Sequence, residues 1–141
     1  MNCTFFGRRD ASETVKKEIE LKIRKLIEEN NDVNFYVGNN GNYDYYVQTT
    51  LEKLSKELKI NYFIVLSRID EKALSSLQGH TIFPEELVKA LPRYAISLRN
   101  DWLIKNCDYA IVFTNKFSHS LKWAEQAKKK GLSVFHIEMP S

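Results

Sequence analysis

Four short segments carry the residues whose types and spacing suit chemistry. The first is Gly7-Arg8-Arg9-Asp10. Arginine forms forked hydrogen bonds to phosphate or carboxylate, and glycine lets a backbone approach a ligand closely. The second is Gly38-Asn39-Asn40-Gly41-Asn42-Tyr43-Asp44. Its carboxamides both donate and accept. Asp44 falls where a first helical turn is expected, where it can hold a ribose hydroxyl, position Arg9 or simply offset the helix dipole. The third is the run Arg99-Asn100-Asp101, in which one or more side chains are expected to point into a cleft. The fourth is Thr114-Asn115-Lys116-Phe117-Ser118-His119-Ser120, where Ser118 or Ser120 can cap a helix and a charged His119 can meet an anion. Glu125 lies about a turn inside the last helix. It is a general acid or base if it faces the cleft, and otherwise a solvated partner of Lys122 or Lys129.

No Ser/His/Asp triad, zinc spacing or phosphate-binding P-loop is present in the sequence, so neither metal nor cofactor is expected. His80 and His136 have no partner spacing. Cys3 and Cys107 are neither paired nor spaced for a metal, and read as reduced, buried thiols.

The elements that must position these segments alternate along the chain. Cys3–Phe6, Val33–Val37, Tyr62–Leu66, Tyr109–Phe113 and Leu132–Ile137 read as short apolar strands. Val15, Ile19, Ile23, Leu26 and Ile27 recur at helical spacing behind an Asp10/Glu13 capping box, and Asn30-Asn31-Asp32 ends that helix. Val47, Leu51, Leu54 and Leu58 mark the next helix. Pro92 opens another that runs to about Asn106. Leu121, Ala124 and Lys128 share a face of the last, which closes with Lys128-Lys129-Lys130-Gly131. The connection from Ser67 to Leu91 is irregular, with a short helix expected around Glu85–Lys89, and its length suits a functional segment.

Strand–helix alternation predicts one domain over residues 1–141: a Rossmann-like three-layer α/β/α sandwich with a mainly parallel five-stranded sheet. In such sheets ligands sit outside the carboxyl ends of the strands, where the strand order reverses. Three of the four segments fall at such ends.

The bulk numbers agree. A chain of 141 residues with 43% hydrophobic and 28% charged residues suits one soluble globular domain. No apolar run is long enough to span a membrane, and the N-terminus turns polar at Gly7, so a cytoplasmic location is expected. The formal charge of +3 neither demands nor excludes a polyanionic partner. Tyr43, Tyr45 and Tyr46 cluster at the second loop, where one can stack on a base and at least one is expected in the core. Trp102 and Trp123 fall on helices, in core or interface.

The segments CTFFGRRD, FYVGNNGNYD, LPRYAISLRNDWLIKNCDYAIVF and AEQAKKKGLSVFHI together resemble the SLOG superfamily, and within it the small stand-alone YpsA-like branch of bacterial and phage proteins. Gly7 and Arg9 resemble the G-x-R of the DNA-processing relative DprA. Gly38, Gly41 and Asp44 resemble its G-x-x-G-x-D. The resemblance implies a Rossmann-like fold and a nucleotide-derived ligand: a nucleotide, a nucleotide sugar or an ADP-ribose-type signal. It implies a ligand site at Gly7, Arg9, Gly38, Gly41 and Asp44, and the residue types above add Arg8, Asn39, Asn40, Arg99, Asn100, Ser118 and Ser120 to the expected ligand-binding set. It also implies a homodimer, since relatives pair through helices. Arg8 stands where branch members carry histidine, and Ser118-His119-Ser120 stands where they carry glycines. The hydrolytic LOG relatives cleave the N-glycosidic bond of nucleoside monophosphates, and Glu125 is the loose counterpart of their glutamate. Three functions therefore stand side by side: binding of a nucleotide-derived small molecule, N-glycoside hydrolysis with Glu125 or Asp44, and single-stranded nucleic-acid binding. The scattered lysines make the last the weakest.

Overall fold

The computed structural model describes residues 1–69, 80–115 and 117–138. Residues 70–79 of the long connection and residue 116 of the fourth segment lie outside them. The chain runs β1 (Asn2–Gly7), a 3₁₀ turn (Glu13–Val15), α1 (Lys16–Glu29), β2 (Asn34–Val37), α2 (Asn42–Glu57) and β3 (Asn61–Val65). It continues through β4 (Thr81–Ile82), 3₁₀ turns at Glu85–Leu87 and Pro92–Tyr94, α3 (Ala95–Asn106), β5 (Tyr109–Phe113), α4 (His119–Lys129) and β6 (Ser133–His136).

All strand pairs are parallel, in the order β4-β3-β2-β1-β5-β6. The sheet has six strands where the sequence predicts five. The extra one is two residues long, pairing Thr81 with Ile64 and Ile82 with Val65. Two residues are too few to show a period.

Strand alternation sends side chains to two separate cores, one on each face of the sheet. Cys3 and Phe5 of β1 pack with Phe35, with Ile19 and Ile23 of α1 and with Leu51 of α2. Phe6, one residue on, points the other way and joins Leu103 and Ile104 of α3 with Ala124 and Ala127 of α4. Small residues at 124 and 127 let α4 lie close to the sheet. Both cysteines are free and buried, as expected. Burial, with the Asp108 carboxylate nearby, pushes the Cys107 thiol up to about 12, so it stays protonated and unreactive at neutral pH.

Several helix ends differ from expectation. The Asp10/Glu13 capping box does not form. Ser12 stands at the cap, and its Oγ accepts from the Thr14 N–H. Asp10 is drawn away because Arg8 grips its carboxylate. The short helix near Glu85 is a single 3₁₀ turn, and Pro92 opens a 3₁₀ turn ahead of α3. Asn30 ends α1, and Gly131 follows α4 at a φ of 97°, both as read from the sequence.

From β1 the chain adds β2, β3 and β4 on one side, then crosses to place β5 and β6 on the other. The order therefore reverses between β1 and β5, and a crevice is expected at their carboxyl ends. Among the described residues, no helix is long and apolar enough to cross a membrane.

Candidate functional site

A cleft with a volume of about 250 Å³ lies between the end of β1, the loop after β2, α3 and the start of α4. Gly7, Arg8 and Arg9 line it from the loop after β1, and Gly38, Asn40 and Asp44 from the loop after β2. Arg99 and Asn100 enter from α3, Ser118 and Ser120 from the start of α4. Residues spread from 7 to 120 in the sequence thus meet at one sheet edge. The floor is apolar: Phe6, Leu103 and Trp123, with Trp123 stacked on Phe6 at 6.3 Å between ring centres.

The two glycine loops are bound to one another. The Asn42 N–H donates to the Arg9 carbonyl at 2.9 Å, and the Asn42 side-chain amide to the Ala11 carbonyl at 3.2 Å. Gly41 has a φ of 91°, and an added Cβ would meet the Arg9 Cα at 2.7 Å. Gly41 is thus glycine twice over, for its left-handed backbone and for its close approach to the first loop. It supports the cleft without lining it.

Gly7 has a different reason from the one its sequence suggests. The ring of Tyr43 lies directly against its Cα, where any Cβ would collide. Tyr43 is fully buried, and its hydroxyl donates to the Ile111 carbonyl at 2.9 Å. One side chain of α2 thereby ties the end of β1 to the middle of β5. Tyr43 is the core member of the tyrosine trio. Tyr46 is partly buried against the same core, and Tyr45 is exposed. None of the three lines the cleft. The exposed aromatic there is Phe117, at the rim.

The two arginines of the first loop do different work. Arg8 is engaged: its Nε and Nη2 each bond the Asp10 carboxylate at 3.0 Å, and its guanidinium lies over the Phe113 ring. The Arg8 contact holds Asp10 below the usual carboxylate range. Arg9 is exposed and faces the cleft with no carboxylate paired to it among the described residues.

Arg99 is 3% exposed. Its Nε donates to the Asn100 carboxamide oxygen at 2.9 Å. Its Nη1 donates to the Val65 carbonyl at 3.2 Å and to Asn39 Oδ1 at 3.4 Å. Asn39 and Asn100 therefore act by orienting this guanidinium, whose Nη2 has no acceptor among the described residues. Burial draws Arg99 below the ordinary arginine value, and Asp44 partly restores it.

Asp44 is buried in the same wall. Its Oδ2 accepts the Asn40 N–H at 3.0 Å. A Cβ on Gly38 would lie 2.6 Å from Arg99 Nη1 and 2.8 Å from Asp44 Oδ2, so glycine is what lets both groups close over the loop. Arg99 and Asp44 share this spot without forming an ion pair. Burial pushes the Asp44 carboxyl up to about 6, against the pull of Arg99, the Asn40 N–H and Arg9. The Asn40 carboxamide oxygen beside it is buried with no donor among the described residues.

At the opposite wall, Ser118 holds the cap position of α4 but its side chain makes no capping bond. Its Oγ instead accepts from the Asn115 N–H at 3.1 Å and from Ser120 Oγ at 3.0 Å. The positive end of the α4 dipole is left to face the cleft, with His119 at its edge.

Glu125 does not join this group. Ala124 and Ala127 are the residues of α4 turned to the sheet, and Glu125, one step round the helix, is exposed and outside the cleft lining. Trp102 packs against Tyr36 rather than the site. Among the described residues no group of His, Cys, Asp or Glu converges as metal ligands. The site's chemistry is therefore donors at Arg9, Arg99 and the α4 end, acceptors at Asp44 and Asn40, and an apolar floor. The floor and the Tyr43 tie were not singled out from the sequence, because aromatic residues in strands and helices read first as core.

No family model matches the chain, and no curated protein matches it.

Proposed function

We propose that the cleft binds a nucleotide-derived small molecule, as the resemblance to SLOG domains implies. The observation that carries this reading is a buried, pre-oriented Arg99 in one cleft with an exposed Arg9 that has no carboxylate partner among the described residues. Guanidinium groups held in this way suit a phosphate, and holding Arg99 in place beforehand lowers the entropy cost of binding. The uncapped start of α4 adds to the same field. The floor of Phe6, Leu103 and Trp123 supplies apolar contact for a base, and Asp44 with Asn40 supplies acceptors for ligand hydroxyl or amino groups. A volume of about 250 Å³ lies just below the span of roughly 300–1,000 Å³ usual for ligand pockets, which favours a nucleotide-sized unit over an extended strand.

A thermal-shift panel of nucleoside mono- and diphosphates, ADP-ribose, nucleotide sugars and cyclic dinucleotides tests it. At least one compound raises the melting temperature on this reading, and no shift across the panel contradicts it. The same samples separate the other functions. Release of free base marks a hydrolase, and a salt-sensitive shift of labelled single strands marks a nucleic-acid binder.

A further inference from the structure

Asp44 is an odd residue for a site that attracts anions. It is 7% exposed and lines the cleft. A carboxylate there repels the ligand that Arg9 and Arg99 attract. A buried ionisable group without an ion pair is also costly to keep. Its surroundings suggest what it does. Arg99 on α3 and Arg9 on the first loop supply the charges that act on it, and the Asn40 N–H of its own loop is its hydrogen-bond donor. On its own helix, the buried Tyr43 hydroxyl feels its charge. From α4, His119 rims the same cleft. The one other acidic residue that lines the cleft among the described residues, Asp10, is held by Arg8.

We propose that Asp44 is a displaceable counter-ion, so that an anionic ligand entering the cleft replaces its charge and drives it to take up a proton. This rests on the binding reading above and adds its regulation. In the empty cleft, the Asp44 carboxylate partly offsets two guanidinium groups. A bound anion offsets them instead and repels the carboxylate, whose remaining stabilisation is then the single Asn40 N–H. The proton comes from solvent and resides on the Asp44 carboxyl. No covalent bond to the ligand forms or breaks.

The direction of the pH effect follows. The carboxyl of the empty protein titrates at about 6, and a neighbouring anion raises it further. Between about 6 and that higher value, binding takes up a proton, so affinity falls as pH rises. The fall approaches tenfold per pH unit if the full proton is coupled. Below about 6 the carboxyl is already neutral, and the dependence flattens.

The test is calorimetric titration with sulfate and with ADP-ribose, whose own charges are fixed between pH 6 and 8. It is run in two buffers of different ionisation enthalpy, so that proton uptake is read directly. The proposal expects uptake in the native protein and loss of affinity toward pH 8. Asp44→Asn, which keeps an acceptor for the Asn40 N–H, binds with less than a twofold change across that range and more tightly than native at pH 8. His119 rims the same cleft, so His119→Gln is run alongside and must retain the uptake. Circular dichroism confirms that both variants are folded. Binding without uptake, or uptake that survives in Asp44→Asn, overturns the counter-ion role and leaves the binding reading standing. Absence of binding by both probes at pH 6 overturns the anion-binding reading and this one with it.

Discussion

At the residue scale, the candidate site is a set of groups that hold one another in place. Gly38 is the clearest case. Its missing Cβ is the space in which Arg99 and Asp44 approach each other, at 2.6 and 2.8 Å from the place a methyl would take. Gly38→Ala must push the guanidinium aside, and that group is the far end of a flexible side chain. The expected outcome is roughly tenfold weaker ligand binding, the scale of one charge-assisted hydrogen bond, with a melting temperature within a few degrees of native. Titration and thermal melts on the same sample check both parts. Asp44 makes a separate prediction about stability. An unfolded aspartate titrates near 3.8, and the folded one at about 6. Between those values the folded state keeps a proton that the unfolded state has released, so stability falls as pH rises from about 4 to about 6 and stays reduced above it. Asp44→Asn removes that loss. Urea unfolding at pH 7.5 is expected to show the variant more stable, by an amount on the order of 3 kcal/mol, and the two proteins converging near pH 4.

At the element scale, the loops after β1 and β2 behave as one unit. Gly41 rests on the Arg9 Cα, Asn42 bonds the Arg9 and Ala11 carbonyls, and Tyr43 packs on Gly7 and reaches Ile111. Gly7→Ala is expected to destabilise the fold by about 1–3 kcal/mol, because the Tyr43 ring is buried on all sides and cannot yield. The paired change Gly7→Ala with Tyr43→Leu should recover part of that loss, since leucine leaves room for the methyl. Denaturant midpoints of the two variants test the pair. If Gly7→Ala unfolds no more easily than native, the ring does not fill the space assigned to it. This element also shows what the sequence could and could not reveal. Gly7 stood out in the correct loop, but for the backbone approach a ligand requires. Its partner lies 36 positions away and carries no local signal. Gly41, too, reads in the sequence as a ligand contact, whereas its left-handed backbone and its closeness to Arg9 are what require glycine there. Asp10 was misread as a cap because Ser12 offered the same chemistry two residues later, and Arg8 competed for the carboxylate.

At the scale of the whole molecule, the alternation of short apolar strands with amphipathic helices was enough to specify a parallel, doubly covered sheet and the edge at which its loops converge. Residues as distant as Arg9, Asp44 and Ser118 were legible as one group because the reversal rule names an edge, whereas Arg99 lies within a helix and stood out only as part of a dense polar run. Their internal division of labour was not. Which arginine is engaged and which is open depends on Asp10, and which carboxylate is buried depends on the packing of α3 over the second loop. Glu125 shows the converse. Its chemistry suited a site, but the small residues beside it decide which face of α4 meets the sheet, and they leave it in solvent.

The measurement that most directly tests the central claim is a titration of native protein and Arg9→Ala with the tightest compound from the nucleotide panel. Arg9 is exposed and supports no core packing, so the variant is expected to melt with the native protein. Loss of one charge-assisted contact predicts affinity weaker by roughly 10- to 100-fold. Equal affinity in the two proteins, with both folded, would show that the ligand sits elsewhere and would contradict the assignment of this cleft.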